Sequence, residues 1–452
     1  MSHIFFILLH QIWIIEQIEM QSNVMTDSSS FLIAATNSGC GKTTVTIGLL
    51  RALKRKGVAV RPYKCGPDYI DTQYHRMASG VDSVNLDSRF TTPEHLREIY
   101  AHYSSRVNVV EGVMGLFDGF DRDHGSSAEI ASMIHIPVVL VVNARSMAYS
   151  AAAMIHGFSS FRNDIKVVGV IFNQVGSERH ASFLRQACED THIPCLGCIP
   201  RIKEMEMPSR HLGLSLENER QMEALITFAA DTMEKHVDIT RLLSLTSLDS
   251  EFSSALGNHC LPNDSIPPIS LCNLRISVAR DEAFNFTYLE NIDRLKEMGT
   301  VTFFSPIHDE QLPTTDLLYI PGGYPEFFLK ELVENTKMKE SVRDFIEHGG
   351  KCLAECGGMM YLCDSIIGID GVSYPMVGIL HQTATMQGMR LHLGYRQWDG
   401  ITTDGTPYSF NGHEFHYSRI LENETTVYRH KNLRASYIHL YWGDRNLLEL
   451  WG

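Results

Sequence analysis

The chain has no excess of positive charge, no cysteine framework and no apolar run able to span a bilayer. Asp and Glu number 53 against 39 Lys and Arg, a formal net charge of −14. That argues against a nucleic-acid partner, which needs a basic face, but leaves room for a local cationic pocket around an anionic ligand. The ten cysteines are scattered, so a reducing, cytoplasmic compartment is expected. Cys195 and Cys198 form a single CxxC with no second pair at zinc-ligand spacing, and are read as two buried or inert thiols. Ile4 to Ile15 is apolar, but His10 and Gln11 interrupt it and it is too short to cross a membrane. It also lacks the basic start and small-residue cleavage site of a secretory leader. No membrane partner is expected, and no repeat of fixed period occurs. What remains is 452 residues, 44% hydrophobic and 20% charged, ordinary globular composition with material for two or three domains.

The globular pattern starts at Phe31, and residues 1–30 are read as an extension or a misassigned start, with Met20 and Met25 close before the fold. Phe31 to Thr36 is an apolar run ending in a Gly-rich loop, and a helical pattern follows from Lys42 to Arg55. Strand-like runs recur at Val58 to Lys64, Asn108 to Val113, Pro137 to Ala144 and Lys166 to Gln174. Helix-like stretches lie between most of them, and another covers Asn218 to Val237. Over 31–240 this alternation predicts a doubly wound parallel sheet with helices on both faces. Residues 241–272, rich in Ser, Asn and Pro, are read as a linker. A second α/β pattern fills 273–452. Its strands fall at Arg275 to Ala279, Val301 to Phe304, Asp316 to Ile320 and Lys351 to Glu355, with helices at Tyr288 to Met298 and Glu326 to His348.

Two motifs carry chemistry. The first is Thr36-Asn37-Ser38-Gly39-Cys40-Gly41-Lys42-Thr43-Thr44, a turn between strand and helix. Backbone N–H groups of such a turn cradle phosphates. Asn37, Ser38, Gly39, Gly41, Lys42, Thr43 and Thr44 are therefore expected to bind ATP, with Lys42 on the outer phosphates. Thr36 stands where the common pattern has its first glycine. Thr43 and Glu111, the latter at a strand end, are expected to hold Mg²⁺, which takes one or two protein oxygens beside phosphate. The segment Lys64-Cys65-Gly66-Pro67-Asp68-Tyr69-Ile70-Asp71 follows the next strand, at the sheet edge where ligands bind in this architecture.

The second motif is Ala354-Glu355-Cys356-Gly357-Gly358, a strand-to-helix elbow. Such a turn exposes a nucleophile and sets its sulfur at a helix N-terminus, which is expected to lower the thiol pKa. His439 is the candidate base. Backbone N–H groups of Gly322, Gly323 and Gly357 are candidates for an oxyanion hole. His413 and His416 alternate along a strand-like run, and a structural role suits them at least as well. A phosphate loop together with a nucleophilic thiol points to an enzyme that releases ammonia at one site and uses ATP to fix it at another.

From Phe31 onward the chain resembles the cobyrinic acid a,c-diamide synthases among the cobalamin-pathway glutamine amidotransferases. The resemblance rests on KCGPDYID at Lys64 to Asp71, EGVMGLFDG at Glu111 to Gly119 and GVIFNQVGSERH at Gly169 to His180. PSRHLGL at Pro208 to Leu214, PGGYPE at Pro321 to Glu326, AECGGMMYL at Ala354 to Leu362 and GHEFHYS at Gly412 to Ser418 complete it. It implies a P-loop domain similar to dethiobiotin synthetase, then a flavodoxin-like class I glutamine amidotransferase domain. The implied reaction amidates the a and c carboxylates of a tetrapyrrole through acyl phosphates, with ATP, Mg²⁺ and glutamine. It places Lys64, Asp68, Tyr69 and Asp71 near the acceptor carboxylate and phosphates, and Asn173 near the base. A homodimer is compatible with it. Cobyrinic acid is the first acceptor, with hydrogenobyrinic acid and nickel sirohydrochlorin as alternatives. The KCGPDYID segment argues against a cobyric acid synthase, and a nucleotide-switched scaffold with a dead amidotransferase domain is the remote rival. Three departures stand out: Asn143 replaces an expected Asp, Tyr441 follows His439 where an orienting Glu is common, and 283–288 is unusual for the family.

Overall fold

The computed structural model describes residues 28–205, 216–247, 273–402, 405–422 and 425–452. Most of the expected extension (1–27) and of the expected linker (248–272) lies outside the described residues. The chain forms two compact units, Met1–Ser209 with Glu219–Pro262, and Arg210–Asn218 with Asn263–Gly452.

In the first unit seven strands form one sheet: β1 (Ser29–Ala35), β2 (Val60–Cys65), β3 (Val84–Leu86), β4 (Val107–Glu111), β5 (Val138–Asn143), β6 (Val167–Val175) and β7 (Cys195–Pro200). Their order is β3-β2-β4-β1-β5-β6-β7, and every neighbouring pair is parallel. All seven residues of β1 are buried, as expected for a strand covered on both faces. β1 sits between β4 and β5, so the order reverses around it and its carboxyl end opens at a switch point. The helix Lys42–Arg55 keeps its expected bounds and buries Val45, Ile47, Leu49, Leu50 and Leu53. Its Gly48 allows close approach: a Cβ there would stand 2.9 Å from the Ala229 carbonyl oxygen on the helix Leu216–His236.

Two boundaries differ from expectation. The first strand starts at Ser29, because Ser29 and Ser30 are buried with their hydrogen bonds satisfied by Arg106 and Thr246 carbonyls, which hydropathy does not reveal. The expected linker begins later, because Ile239–Leu245 is a helix capped by Asp238 that buries Ile239, Leu242 and Leu243. β3 and β7 were not anticipated. The first has three residues, and the second mixes Cys, Gly and Pro, which carry little strand propensity.

In the second unit a six-stranded sheet runs Tyr428–His430, Leu433–Ser436, β11 (Lys351–Glu355), β10 (Leu317–Ile320), β8 (Leu274–Ala279), β9 (Gly299–Phe304). Only its edge strand Tyr428–His430 is antiparallel. The single helix expected from Glu326 to His348 is broken into Leu329–Glu334 and Thr336–Glu347. Asn335 makes the break: its side chain accepts from Met338 N and donates to the Pro306 and Asp309 carbonyls, the competition with helix that Asn offers. A three-stranded antiparallel sheet of His392–Ile401, Pro407–His416 and Ile438–Leu440 carries His439.

Candidate active sites

The loop after β1 has the form expected of a phosphate cradle. Gly39 and Gly41 have φ of 79° and 95°, left-handed values that turn successive N–H groups to one side. Gly41 caps the helix Lys42–Arg55 without a side-chain hydrogen bond, leaving the first N–H groups for a ligand. Asn37, Ser38 and Gly39 are exposed, and Asn37 Oδ1 accepts from Thr36 Oγ1 and the Cys40 thiol. Thr36 thus replaces the usual glycine with a hydroxyl that braces the loop. Asn173, expected near the base, lies beside the loop. Its Nδ2 donates to the Cys40 carbonyl at 2.9 Å and lies where a Gly41 Cβ would be, so it supports the loop. Asn143 closes a local turn by accepting from Arg145 N.

Beside the loop lies a buried charged network. Glu111 is fully buried; its Oε1 accepts from Thr43 at 2.6 Å and from Lys64 at 3.0 Å, and its Oε2 lies 2.7 Å from His75 Nε2. Lys64 also donates to Asp71 Oδ2 at 2.7 Å. Burial opposes ionisation of both partners, but their mutual attraction outweighs it. It holds Glu111 below the usual carboxylate range and Lys64 above the usual ammonium range. Lys64, expected beside the acceptor with Asp71, thus balances both the Asp71 and the Glu111 carboxylates. Asp68 caps the next helix by accepting from Ile70 N and Asp71 N. Tyr69 is buried. Lys42 donates to the carbonyl of Met114, whose φ of 45° aims it inward. Burial, then repulsion from Lys64, lowers the Lys42 pKa. His75 was missed by sequence reasoning, although its i, i+4 spacing from Asp71 on the helix Ile70–Ser79 puts both on one face.

In the second unit β11 runs straight into Cys356, whose φ of 46° and ψ of −108° are strained for a residue with a Cβ. Cys356 N donates to Ser436 O at 2.7 Å and Cys356 O accepts from Met360 N, which pins the elbow on both sides. The expected lowering of the thiol pKa is not what this environment produces. Cys356 is 3% exposed; burial pushes the thiol above its usual range, with Glu326, Glu355 and Glu414 adding repulsion. The six-residue helix Gly357–Leu362 does not offset that. The Sγ lies 3.6 Å from the Phe415 carbonyl oxygen, between Glu414 and His416.

His439 is packed against the turn after β10. A Cβ on Gly322 would fall 2.1 Å from its Cε1, and one on Gly357 would meet Gly323 N at 3.1 Å, so the three proposed oxyanion glycines and the histidine converge. Burial, with His413 and His416 contributing, pushes His439 down to about 3. Tyr441 does not orient it, because its hydroxyl is bonded to Glu290. Glu355 approaches instead, with Oε2 4.0 Å from His439 Nδ1. It accepts from Tyr319 OH at 2.7 Å and Leu440 N at 2.9 Å, and burial pushes it up to about 8. Sequence reasoning missed Glu355, though a carboxylate ending an otherwise apolar strand beside the cysteine was the available signal. It also missed the Glu414–Arg396 pair, 2.6 Å apart. His416 stacks on Tyr437 at 3.6 Å and on His392 at 4.8 Å, a structural placement. Gly322→Ala should displace His439 and cut glutaminase turnover roughly 10²-fold; wild-type turnover in that variant would contradict the packing described.

Among the described residues no helix is long and apolar enough to cross a membrane, and no group of three or more His, Cys, Asp or Glu side chains could hold a metal ion. Comparison with known proteins bears on both units. The CobQ/CobB/MinD/ParA nucleotide binding domain matches residues 31–214, and the CobB/CobQ-like glutamine amidotransferase domain matches residues 275–447. Hydrogenobyrinate a,c-diamide synthase of Brucella anthropi is 42% identical, over 86% of this chain and 89% of that protein. Cobyrinate a,c-diamide synthase of Caldanaerobacter subterraneus subsp. tengcongensis is 40% identical, over 91% and 94%. That of Listeria innocua is 37% identical, over 94% and 99%. With both domain families matched in order and such identity over most of its length, the chain belongs to the a,c-diamide synthase family of glutamine amidotransferases.

Proposed function

We propose that the chain amidates the a and c carboxylates of cobyrinic acid, using ATP and glutamine, with a synthetase domain over 31–240 and an amidotransferase domain over 273–452. The observation that carries this reading is the pairing, in one chain of this family, of an open phosphate cradle with a strained cysteine elbow and a histidine that pack on the same glycine turn, Gly357 against Gly323 and His439 against Gly322. Cys356 Sγ attacks the side-chain amide carbon of glutamine while His439 takes the thiol proton and passes it to the departing ammonia. The N–H groups of Gly322, Gly323 and Gly357 hold the oxyanion. Water then hydrolyses the thioester to glutamate. Glu414 and Arg396 suit the ammonium and carboxylate of a free amino acid. In the first unit the substrate carboxylate takes the γ-phosphoryl group of ATP, and ammonia displaces phosphate from the acyl phosphate. Lys42 leaves the Met114 carbonyl for the phosphates.

The donors near the loop, Thr43 Oγ1 and the Glu111 carboxylate, are hard oxygens of the kind Mg²⁺ takes when phosphates and water complete its shell. Thr43 and Glu111 would hold it, and it would supply charge neutralisation on the phosphates. Asp68 and Tyr69 border the same face and are proposed to meet the acceptor, while Lys64 and Asp71 set its charge.

Glu355 is proposed as the positioning residue for His439, in the place that Tyr441 vacates. Burial disfavours a lone carboxylate and a lone imidazolium, whereas the two together cancel. Glu355 is neutral below about 8 and charged above it. Wild-type glutaminase kcat should therefore rise through that pH, and Glu355→Gln should lose this limb along with roughly 10²-fold in kcat. The same raised pKa means that the folded state binds this proton more tightly than the unfolded chain. Its stabilising contribution is full below the ordinary carboxylate pKa and lost as pH rises through about 8, so Glu355→Gln should flatten the alkaline fall in stability. An unchanged kcat limb in the variant would remove Glu355 from this role.

The greater identity to the Brucella anthropi protein favours hydrogenobyrinic acid as the second reading. Mass spectrometry with ATP, Mg²⁺ and glutamine, offering cobyrinic acid, hydrogenobyrinic acid and nickel sirohydrochlorin in parallel, decides between them. Two successive OH-to-NH₂ steps on cobyrinic acid are expected. The same steps on another acceptor alone would replace the substrate, and no step on any would overturn the assignment.

A further inference from the structure

The first unit contains a cleft of about 550 Å³ whose lining includes Arg185, Cys195, Cys198, Lys235 and His236 and no residue of the phosphate loop or its charged network. Its sulfur atoms are brought together by an irregularity in β7. Val170 of β6 pairs with Cys195, but the next residue, Ile171, pairs with Gly197, and Phe172 with Cys198. One extra residue is thus accommodated between Cys195 and Gly197. In a regular strand residues three apart face opposite ways; the bulge returns Cys198 to the face of Cys195. Their Sγ atoms are 3.9 Å apart. A third thiol, Cys188 of the helix Glu178–Asp190, is buried and lies against Cys195. Both cleft cysteines are partly exposed, so they are reachable and not buried as the sequence reading allowed. β7 is the edge strand of its sheet, held by β6 on one side and on the other by a hydrogen bond from Asp238 N to the Leu196 carbonyl at 2.8 Å.

We propose that Cys195 is a redox-active thiol that exchanges with a small disulfide bearing both carboxylate and ammonium groups taken into this cleft, and that Cys198 resolves the product to an internal Cys195–Cys198 disulfide. Arg185, paired with Glu178 at 2.5 Å, and Lys235 line the cleft together with Glu178 and Asp238, so it offers both signs of charge. Cys195 Sγ attacks one sulfur of the external disulfide; that S–S bond breaks and one thiolate leaves, taking up the Cys195 proton. Cys198 Sγ then attacks Cys195 Sγ, and the second external thiolate leaves with the Cys198 proton. Two protein thiols are oxidised and one external disulfide is reduced to two thiols. Closure brings the sulfurs from 3.9 Å to about 2.05 Å, and Gly197 between them eases the backbone change. S–H contacts from Cys188 and then Cys198 hold the Cys195 thiol well below its usual pKa range, which suits it as the attacking sulfur.

Trypsin releases 186–201 as one peptide carrying all three cysteines, so its mass counts free thiols. The full-length protein is treated with oxidised glutathione, quenched and digested. The wild-type peptide should lose two hydrogens, reversibly with dithiothreitol. Cys198→Ser should accumulate one glutathione, and Cys195→Ser should react at least ~10-fold more slowly, with circular dichroism showing both variants folded. Wild-type reaction in Cys195→Ser, or an internal disulfide in Cys198→Ser, would overturn the proposal.

Discussion

Cys356→Ala should abolish glutamine-dependent amidation, with a loss above ~10³-fold, since removing the nucleophile of a covalent mechanism leaves only binding and oxyanion stabilisation. Amidation from added ammonium salts at alkaline pH should persist, because the phosphate cradle and its charged network belong to the first unit and do not involve the thiol. The two rates separate the roles of the two units. Equal loss of both would mean that the cysteine supports the fold, and loss of neither would turn the second unit into a scaffold. A stability measurement adds an independent check. At φ 46° and ψ −108° any Cβ is strained, by an amount of order 1–3 kcal/mol, and alanine keeps that strain. Cys356→Gly should relieve part of it and be more stable than Cys356→Ala by about 1 kcal/mol, while equally inactive. A glycine variant less stable than the alanine variant would show that the elbow stores no strain.

The central strands of the seven- and six-stranded parallel sheets, the phosphate loop and the cysteine elbow were legible because each follows from a short local pattern. β1 and β5 are largely apolar runs, and the glycines of the loop after β1 and of the elbow after β11 have few other uses. Less legible was everything that depends on what a buried polar group meets. Lys64 and Asp71 look like substrate contacts in sequence, yet their burial at 3% and 1% obliges them to pair. The same holds for His75 and Glu355, whose partners come from other strands. Asn173, set near the base by the family resemblance, also braces the loop, since its amide fills the space that glycine leaves at position 41. Helix ends failed where a side chain competes with the backbone, as at Asn335. Of the antiparallel strands after Cys363, only the run through His413 and His416 was legible as strand-like, and it is the strand Pro407–His416. The cysteine's pKa was misjudged for one physical reason: a short helix supplies less stabilisation of charge than complete burial removes.

Lys42→Met should leave glutaminase intact and remove ATP-dependent amidation by at least ~10²-fold, the scale expected when a charge that stabilises phosphoryl transfer is lost. The stability consequence has the opposite sign. The pKa of Lys42 is lowered, by burial first and by Lys64 second, with Glu111 offsetting only part. A lysine whose folded pKa lies below its unfolded value costs stability wherever it is charged, and the cost fades as pH rises through the folded pKa towards the ordinary value. At neutral pH the wild type carries that cost, and methionine, of similar shape, does not. The apo variant should therefore melt at or above the wild-type temperature. ATP changes the comparison, because a ligand at a hundred times its Kd adds about 2.7 kcal/mol only if it still binds. The wild type should be raised by ATP and the variant scarcely at all, so the two melting curves should cross on addition of nucleotide. A variant that melts lower without ATP, yet is raised by ATP as the wild type is, would place Lys42 in the fold and not on the phosphates.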